Sequence, residues 1–137
     1  MGRESLMKQY LLDTNCLLRF LLKDNIPQAA KIQSLFQEAK AGKNTIYIPL
    51  VCCVEIIFAL RRVYKLQKKD IIEHLSKFFD LPYISIEKRE LLLHALLYYR
   101  DYSVSVVDAI CFIEARERGE ELMTFDENLK KLIKRTK

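Results

Sequence analysis

The amino-acid sequence predicts an α/β protein built on a parallel sheet of short strands with helices on both faces. Short strand-like runs alternate with longer runs whose apolar residues recur at helical spacing. Parallel strands need a crossover of about helix length between them, so this alternation favours parallel pairing. Half of the residues are hydrophobic, and only three are Gly and three Pro. This composition excludes a disordered chain and is sufficient for a packed core.

The first half of the chain contains two predicted strands, each followed by helical sequence. The stretch "KQYLLDTN" predicts a short buried strand that ends at Asp13, with the helical run "CLLRFLL" following at once. Apolar positions over residues 27–41 approximate helical spacing and predict the next helix. The stretch "NTIYIP" predicts the second strand, and Pro49 suits the first turn of the helix after it.

The second half continues the same alternation. Residues 71–79 predict an amphipathic helix, "YISI" a third strand, and residues 87–100 another helix. A further helix is expected from about Ser105 to Gly119, a residue suited to the position after a helix. The stretch "ELMTF" predicts a fourth strand, and a terminal helix begins at Asp126.

We expect a single domain over residues 7–134, preceded by a leader or expression remnant at 1–6 and followed by a basic tail at 135–137. The longest uncharged run, 44–54, is too short to cross a bilayer, and the N-terminus has no apolar signal-peptide segment. The four cysteines form no CxxC pair, so neither a zinc site nor a redox motif is indicated. These observations predict a soluble cytoplasmic protein.

The net charge of +5 is concentrated in two basic groups. One lies where two predicted helices meet: Arg61, Arg62, Lys65, Lys68 and Lys69. The other is the C-terminal run "NLKKLIKRTK", which includes Lys130 and Lys131. Each group alone is explained by a solvated helix face. Beside an acidic site, the two groups also suit a polyanionic substrate, which is attracted through its phosphates.

Four acidic residues occupy similar places in the predicted fold. Asp13 ends the first strand, Glu55 lies in the second turn after the second strand, Asp108 is in the first turn of its helix, and Asp126 follows the last strand. The carboxyl ends of parallel strands share one edge of the sheet, where these acids would meet. Converging carboxylates repel one another, and hard oxygen ligands without His or Cys select Mg²⁺ or Mn²⁺. Because substrate phosphates commonly complete a Mg²⁺ site, this pattern indicates phosphoryl chemistry.

The three aspartates also have a purely structural explanation. Asp13 and Asp126 are suited to capping the helices that follow them. Ser105 and Asp108 match the capping-box spacing, so Asp108 would reach back to the Ser105 amide. At this point capping and metal binding are equally good explanations for each aspartate.

Glu55 is not explained by capping, because it lies too far into its helix. Val51 and Phe58 place it on an apolar helix face, where an isolated ionised carboxylate is costly. No basic residue occurs between Lys43 and Arg61 to pair with it locally. A cation must come from elsewhere in the fold or from a bound metal, and we expect Glu55 at the partly wet rim of the sheet.

Four motifs in order resemble the PIN domain family, and within it the VapC-like toxin ribonucleases of toxin–antitoxin pairs. They are "LLDTN", the glutamate of "PLVCCVEIIFAL", "SVVDAICFIEA" and "LMTFDENLKKL". The resemblance spans residues 7 to about 133. It implies a three-layer α/β/α sandwich, a metal-dependent endonuclease that cuts RNA with Mg²⁺ or Mn²⁺, a homodimer, and inhibition by a small antitoxin protein.

Carried over to this sequence, the family's catalytic and metal-binding acids are Asp13, Glu55, Asp108 and Asp126. The polar residues that support them are Thr14, Asn15, Ser105 and Thr124. The candidate phosphate contacts are Arg61, Arg62, Lys65, Lys130 and Lys131. The resemblance implies that the aspartates hold the metal, directly or through water, and that Glu55 ligates it or orients the attacking water.

Other interpretations remain open. A protein phosphorylated on aspartate also places Asp after a strand beside Mg²⁺, but a second acid would be expected where Thr14 and Asn15 stand, and Glu55 would have no role. A non-catalytic binding module with a PIN fold would use its acids only as helix caps. A PIN-type nuclease acting on DNA or in RNA processing is the third alternative.

Overall fold

The computed structural model describes residues 7–136; the predicted leader at 1–6 and the last residue of the predicted basic tail, Lys137, lie outside them. The described residues form three strands and seven helices. In chain order these are β1 (Gln9–Leu11), α1 (Thr14–Leu22), α2 (Ile26–Lys40), β2 (Thr45–Ile48), α3 (Leu50–Arg62), α4 (Lys68–Phe79), β3 (Ser85–Ile86), α5 (Arg89–Asp101), α6 (Val106–Arg118) and α7 (Glu127–Arg135). The α/β class is confirmed, and the first three strands lie within the segments predicted for them.

The sheet is parallel, with strand order β1-β2-β3. Side chains alternate across it because successive residues of a strand point to opposite faces. Ile46, Ile48 and Ile86 point into the core, while Leu11 and Tyr47, which are partners in the register, are exposed on the other face. A parallel sheet of short strands among helices agrees with the α/β/α architecture that the resemblance implies.

The prediction of a fourth strand at "ELMTF" is wrong. Residues 120–126 do not form a β-strand, and none of their backbone groups bonds to β1 in the part of the chain described. Met123 and Phe125 are 83% and 88% exposed, whereas Leu122 packs against the core. The alternation typical of a strand is present, but alternation records only that an extended segment has one buried face. It does not show that another strand pairs with the segment.

Side-chain caps define the start of several helices. Asp13, Asn25, Ser105 and Asp126 each accept a hydrogen bond from an amide in the first turn of the following helix. Pro49 lies immediately before α3, one position earlier than predicted. These caps place three of the predicted acids at helix N-termini, where the helix dipole favours negative charge.

The core is continuous across the helices and the sheet. The rings of Phe20, Phe36 and Phe78 lie with centroids 4.7–6.0 Å apart and join α1, α2 and α4. Residues at helical spacing between Ile71 and Phe79 are buried, so this face of α4 serves the core. The middle and the end of α1 are therefore held by packing, through Leu17, Leu18 and Phe20. Among residues 7–136, no helix combines the length and apolarity needed to span a membrane.

Candidate active site

A short hydrogen bond joins two of the predicted motifs at the carboxyl end of the sheet. Thr14 Oγ1 donates to Glu55 Oε1 at 2.6 Å. Thr14 is the first residue of α1 and follows Asp13, whereas Glu55 lies in the second turn of α3. The residues are 41 positions apart in sequence, so the fold, and not local structure, makes this contact. Glu55 is therefore placed beside the segment that carries Asp13.

Glu55 lies in solvent at the rim of the sheet, as expected from the sequence. The two apolar residues on its helix face are also outside the core, with Val51 66% and Phe58 57% exposed. An exposed carboxylate escapes most of the desolvation cost that a buried one pays. It also remains accessible to a substrate.

Asp13 caps α1 and is held in its ionised form. Its Oδ1 accepts the backbone N–H of Cys16 at 3.0 Å. This backbone hydrogen bond is the main cause that lowers the pKa of Asp13 below its ordinary value, against a smaller opposing effect of burial. A carboxylate that binds a metal must be ionised, and Asp13 meets this requirement.

Asp108 and Asp126 also cap helices. Asp108 Oδ2 accepts the Ser105 amide at 3.3 Å, and Ser105 Oγ accepts the Asp108 amide at 3.0 Å, which completes a capping box. Asp126 Oδ1 accepts the Leu129 amide at 2.8 Å, while Thr124 Oγ1 accepts the amide of Asp126 at 3.0 Å. The capping interpretation is confirmed for all three aspartates. Each aspartate caps through one carboxylate oxygen, so capping leaves the other for a further role.

The donor set fits a hard divalent ion in kind, since it consists of carboxylates with hydroxyl groups beside them. The sequence predicts that these carboxylates converge at one point, but the structure does not bring three of them together. Across residues 7–136, no three or more His, Cys, Asp or Glu side chains are placed so that they would hold a metal ion. The structure joins Glu55 to the Asp13 segment and does not form a three-carboxylate group. The metal-binding role of the four acids stays a prediction.

The predicted basic residues divide between two surfaces. Arg61 and Arg62 line a cavity of about 300 Å³ together with Ser105 at the start of α6, while Lys65 is exposed in the turn after α3. Lys130 lines a different cavity, of about 500 Å³, between the ends of α6 and α7. It pairs with Glu127 at 3.3 Å, and its neighbour, Lys131, is exposed.

Comparison with known proteins addresses the resemblance directly. The sequence pattern of the PIN domain matches residues 10–134, nearly the whole chain. The chain belongs to the PIN domain family. Over 123 residues it is 24% identical to a protein named VapC ribonuclease from Aquifex aeolicus (strain VF5), covering 89% of this chain and 90% of that protein. No solved structure gave a significant match. The predicted family is therefore confirmed, and all four acids lie inside the matched region.

This PIN domain has a further acid at the same sheet edge that the motifs did not identify. Glu87 directly follows β3, and its Oε1 accepts the amide of Leu50 at 2.9 Å, which caps α3 from another element. Glu87 also contributes, after burial, to raising the pKa of Tyr47. The available signal was its place after the strand "YISI", which matches the place of Asp13 after β1. The sequence interpretation treated it only as the first residue of a helix.

Proposed function

We propose that this PIN domain is a metal-dependent endoribonuclease, the toxin of a toxin–antitoxin pair, that hydrolyses RNA phosphodiester bonds with an activated water. The hydrogen bond between Thr14 and Glu55 is the observation that supports it most directly. It links Glu55, the one acid that capping does not explain, to the segment that carries Asp13. Family membership and the relative named VapC ribonuclease support the same reaction.

The residues proposed to hold Mg²⁺ or Mn²⁺ are Asp13, Asp108 and Asp126, directly or through water, with Glu55 as a further ligand or as the group that orients the attacking water. Mg²⁺ keeps several waters and often takes only one or two carboxylates plus substrate phosphate oxygens. Such an ion, when bound, would offset charge on the reacting phosphate and make a water more acidic.

The other polar residues would position these groups. The Thr14 hydroxyl fixes one oxygen of Glu55, and the Cys16 amide keeps Asp13 ionised. The hydroxyls of Ser105 and Thr124 accept the backbone amides of Asp108 and Asp126, and so fix the backbone from which each carboxylate projects. Asn15, exposed in the first turn of α1, is proposed as a further polar contact.

Positively charged side chains would guide the RNA to this edge without reading its sequence. Arg61 and Arg62 are the best placed, since they line a cavity that includes Ser105. Lys65, Lys130 and Lys131 would add contacts farther from the acids. Their contribution should depend steeply on salt.

We propose a small antitoxin and a second copy of this chain as protein partners, and the cytoplasm as the compartment. The resemblance to VapC-like toxins supports both partners. The free state of all four cysteines suits a reducing compartment. Light scattering after gel filtration tests the homodimer, and a small reading frame directly upstream of the coding sequence would identify the antitoxin.

The test of the proposed function is RNA cleavage by the purified protein with Mg²⁺ or Mn²⁺. Cleavage should be abolished by EDTA, by Asp13→Asn and by Glu55→Gln, and should leave a 5′-phosphate and a 3′-hydroxyl. Glu90→Gln, which removes an exposed acid from the first turn of α5, is the matched control and should cleave normally. Equal residual cleavage by both site variants would indicate a contaminating nuclease and refute the assignment.

A second candidate is a non-catalytic binding module whose acids only cap helices. The observed caps at Asp13, Asp108 and Asp126 favour it. It predicts no divalent-ion affinity and no cleavage of RNA. Including single-stranded DNA in the cleavage assay separates the remaining alternative, a nuclease that acts on DNA.

A further inference from the structure

A cavity of about 300 Å³ lies between the end of α3, the start of α4, the end of α5 and the start of α6. Its volume is at the small end of the range for ligand pockets. It adjoins the candidate active site at Ser105, which lines the cavity and whose amide donates to Asp108 Oδ2 at 3.3 Å.

The charged residues of the cavity wall are all cations: Arg61, Arg62 and Lys68. In the part of the chain that the structure describes, none of the three forms an ion pair. Neutral carbonyl groups hold two of them. Arg61 Nη1 donates to the Leu66 carbonyl at 3.1 Å, and Lys68 Nζ donates to the Tyr102 carbonyl at 3.0 Å. The cavity wall therefore carries three positive charges and no carboxylate.

The pKa of Lys68 reflects its burial and its positively charged neighbour. Burial lowers the pKa of Lys68, and the positive charge of Arg61 lowers it further, while Asp101 acts in the opposite direction. Asp101 is itself paired with Arg100 at 2.8 Å. An anion bound in the cavity would offset the repulsion between Arg61 and Lys68, since opposite charges at close range favour the ionised form.

Aromatic rings lie beside these cations. Phe58 exposes 57% of its surface, with the Arg62 guanidinium 5.0 Å from its ring centroid. Lys68 Nζ lies 4.6 Å from the centroid of Tyr99. Aromatic and guanidinium planes bind nucleobases by stacking, and cations bind the phosphates between them. A glutamate-rich peptide, which has no planar ring, would use the cations but could not stack on the exposed Phe58 ring.

We propose that this cavity is a nucleotide subsite, which binds one backbone phosphate of single-stranded RNA at Arg61, Arg62 and Lys68 and stacks the attached base on Phe58. This inference rests on the proposed function, because it assigns the RNA strand a path from the cavity to the acids beside it. The hydroxyls of Ser103 and Ser105, which also line the cavity, are available to the phosphate and the ribose. The contacts use phosphate and stacking, so the subsite takes any base.

The test measures binding without cleavage, in EDTA, using uridine 5′-monophosphate and a short single-stranded RNA as probes. Lys68→Gln is compared with Lys69→Gln, which removes the same charge from the adjacent, exposed residue outside the cavity. We expect Lys68→Gln to weaken RNA binding about five- to tenfold and Lys69→Gln to stay within about twofold. Lys68→Gln should also reduce the slope of log affinity against log salt by about 0.7.

Arg62→Gln is the second cavity variant, because Lys68 contacts the Tyr102 carbonyl and its loss could perturb the fold. Arg62 is exposed, and its substitution should weaken the binding of both probes while leaving the melting temperature of the protein unchanged. Equal losses of RNA affinity in Lys68→Gln and Lys69→Gln would show that the attraction is diffuse and electrostatic, and would overturn the proposed subsite. A glutamate-rich peptide that binds as tightly as the RNA, with the same sensitivity to Arg62→Gln, would assign the cavity to a protein partner and also overturn it.

The result of the binding test can be distinguished from the result of the cleavage assay. Normal cleavage with equal binding by the cavity and control variants would remove the subsite and leave the nuclease proposal standing. Cavity-specific binding by a protein that never cleaves RNA would remove the nuclease proposal and leave an RNA-binding site.

Discussion

Thr14→Val tests the contact on which the candidate active site depends. Valine keeps the shape of threonine but cannot donate a hydrogen bond to Glu55. The net value of such a hydrogen bond is about 0.5–1.5 kcal/mol, and because Glu55 is exposed, we expect about 1 kcal/mol. If this energy holds the carboxylate in its reactive orientation, its loss lowers the correctly oriented fraction, and with it the cleavage rate, about fivefold.

The assay combines urea unfolding with single-turnover RNA cleavage. A double-mutant cycle with Glu55→Ala isolates the coupling between the two side chains. We predict a coupling free energy of about 1 kcal/mol and a reduced rate at unchanged RNA affinity, which is the signature of a positioning residue. Thr45→Val, at an exposed threonine of β2, is the control for the effect of replacing a threonine by valine. Coupling within about 0.3 kcal/mol of zero, with a normal rate, would refute the placement of Glu55 by Thr14.

Three further predictions follow from single residues. Asp126→Asn keeps a capping side chain and should preserve stability while abolishing cleavage, whereas Asp126→Ala should also lose about 1 kcal/mol in urea unfolding; full activity in either variant would show that Asp126 only caps α7. Gly119→Ala should cost about 1–2 kcal/mol, measured by thermal unfolding, because Gly119 has φ 68° at the end of α6; an unchanged melting temperature would contradict this backbone geometry. At about pH 8, iodoacetamide should alkylate the exposed Cys111 before Cys53, because burial raises the pKa of Cys53 to about 12 and its thiolate forms only near that pH; mass spectrometry that finds Cys53 modified first would contradict its burial.

Local signals were sufficient for most elements of the fold. The helices were predicted mainly from the spacing of their apolar residues, and Gly119 correctly indicated the end of α6. The strands β1 and β2 are short apolar runs bounded by polar residues, and each is found within its predicted segment. The fourth strand failed because pairing is a tertiary property. Nothing within the stretch "ELMTF" specifies whether an edge of the sheet is available to it.

The sequence was sufficient to identify the acidic residues of the site, but not to predict how they are arranged. The four acids were identified from their positions after strands or near helix starts. Their spacing was also compatible with capping, and the structure shows that capping is present at Asp13, Asp108 and Asp126. The contact of Thr14 with Glu55 spans 41 positions and has no local signal. Glu87 was missed because the residues after the third strand were assigned to a helix.

The proposed function requires Asp13, Glu55, Asp108 and Asp126 to act together on bound Mg²⁺ or Mn²⁺. Titration of the purified protein with Mn²⁺, followed by electron paramagnetic resonance, tests this directly. We predict saturable Mn²⁺ binding that is weakened by Asp13→Asn, Glu55→Gln, Asp108→Asn and Asp126→Asn, but not by Glu90→Gln. Mn²⁺ affinity that is the same in all five variants and the unmodified protein would contradict it.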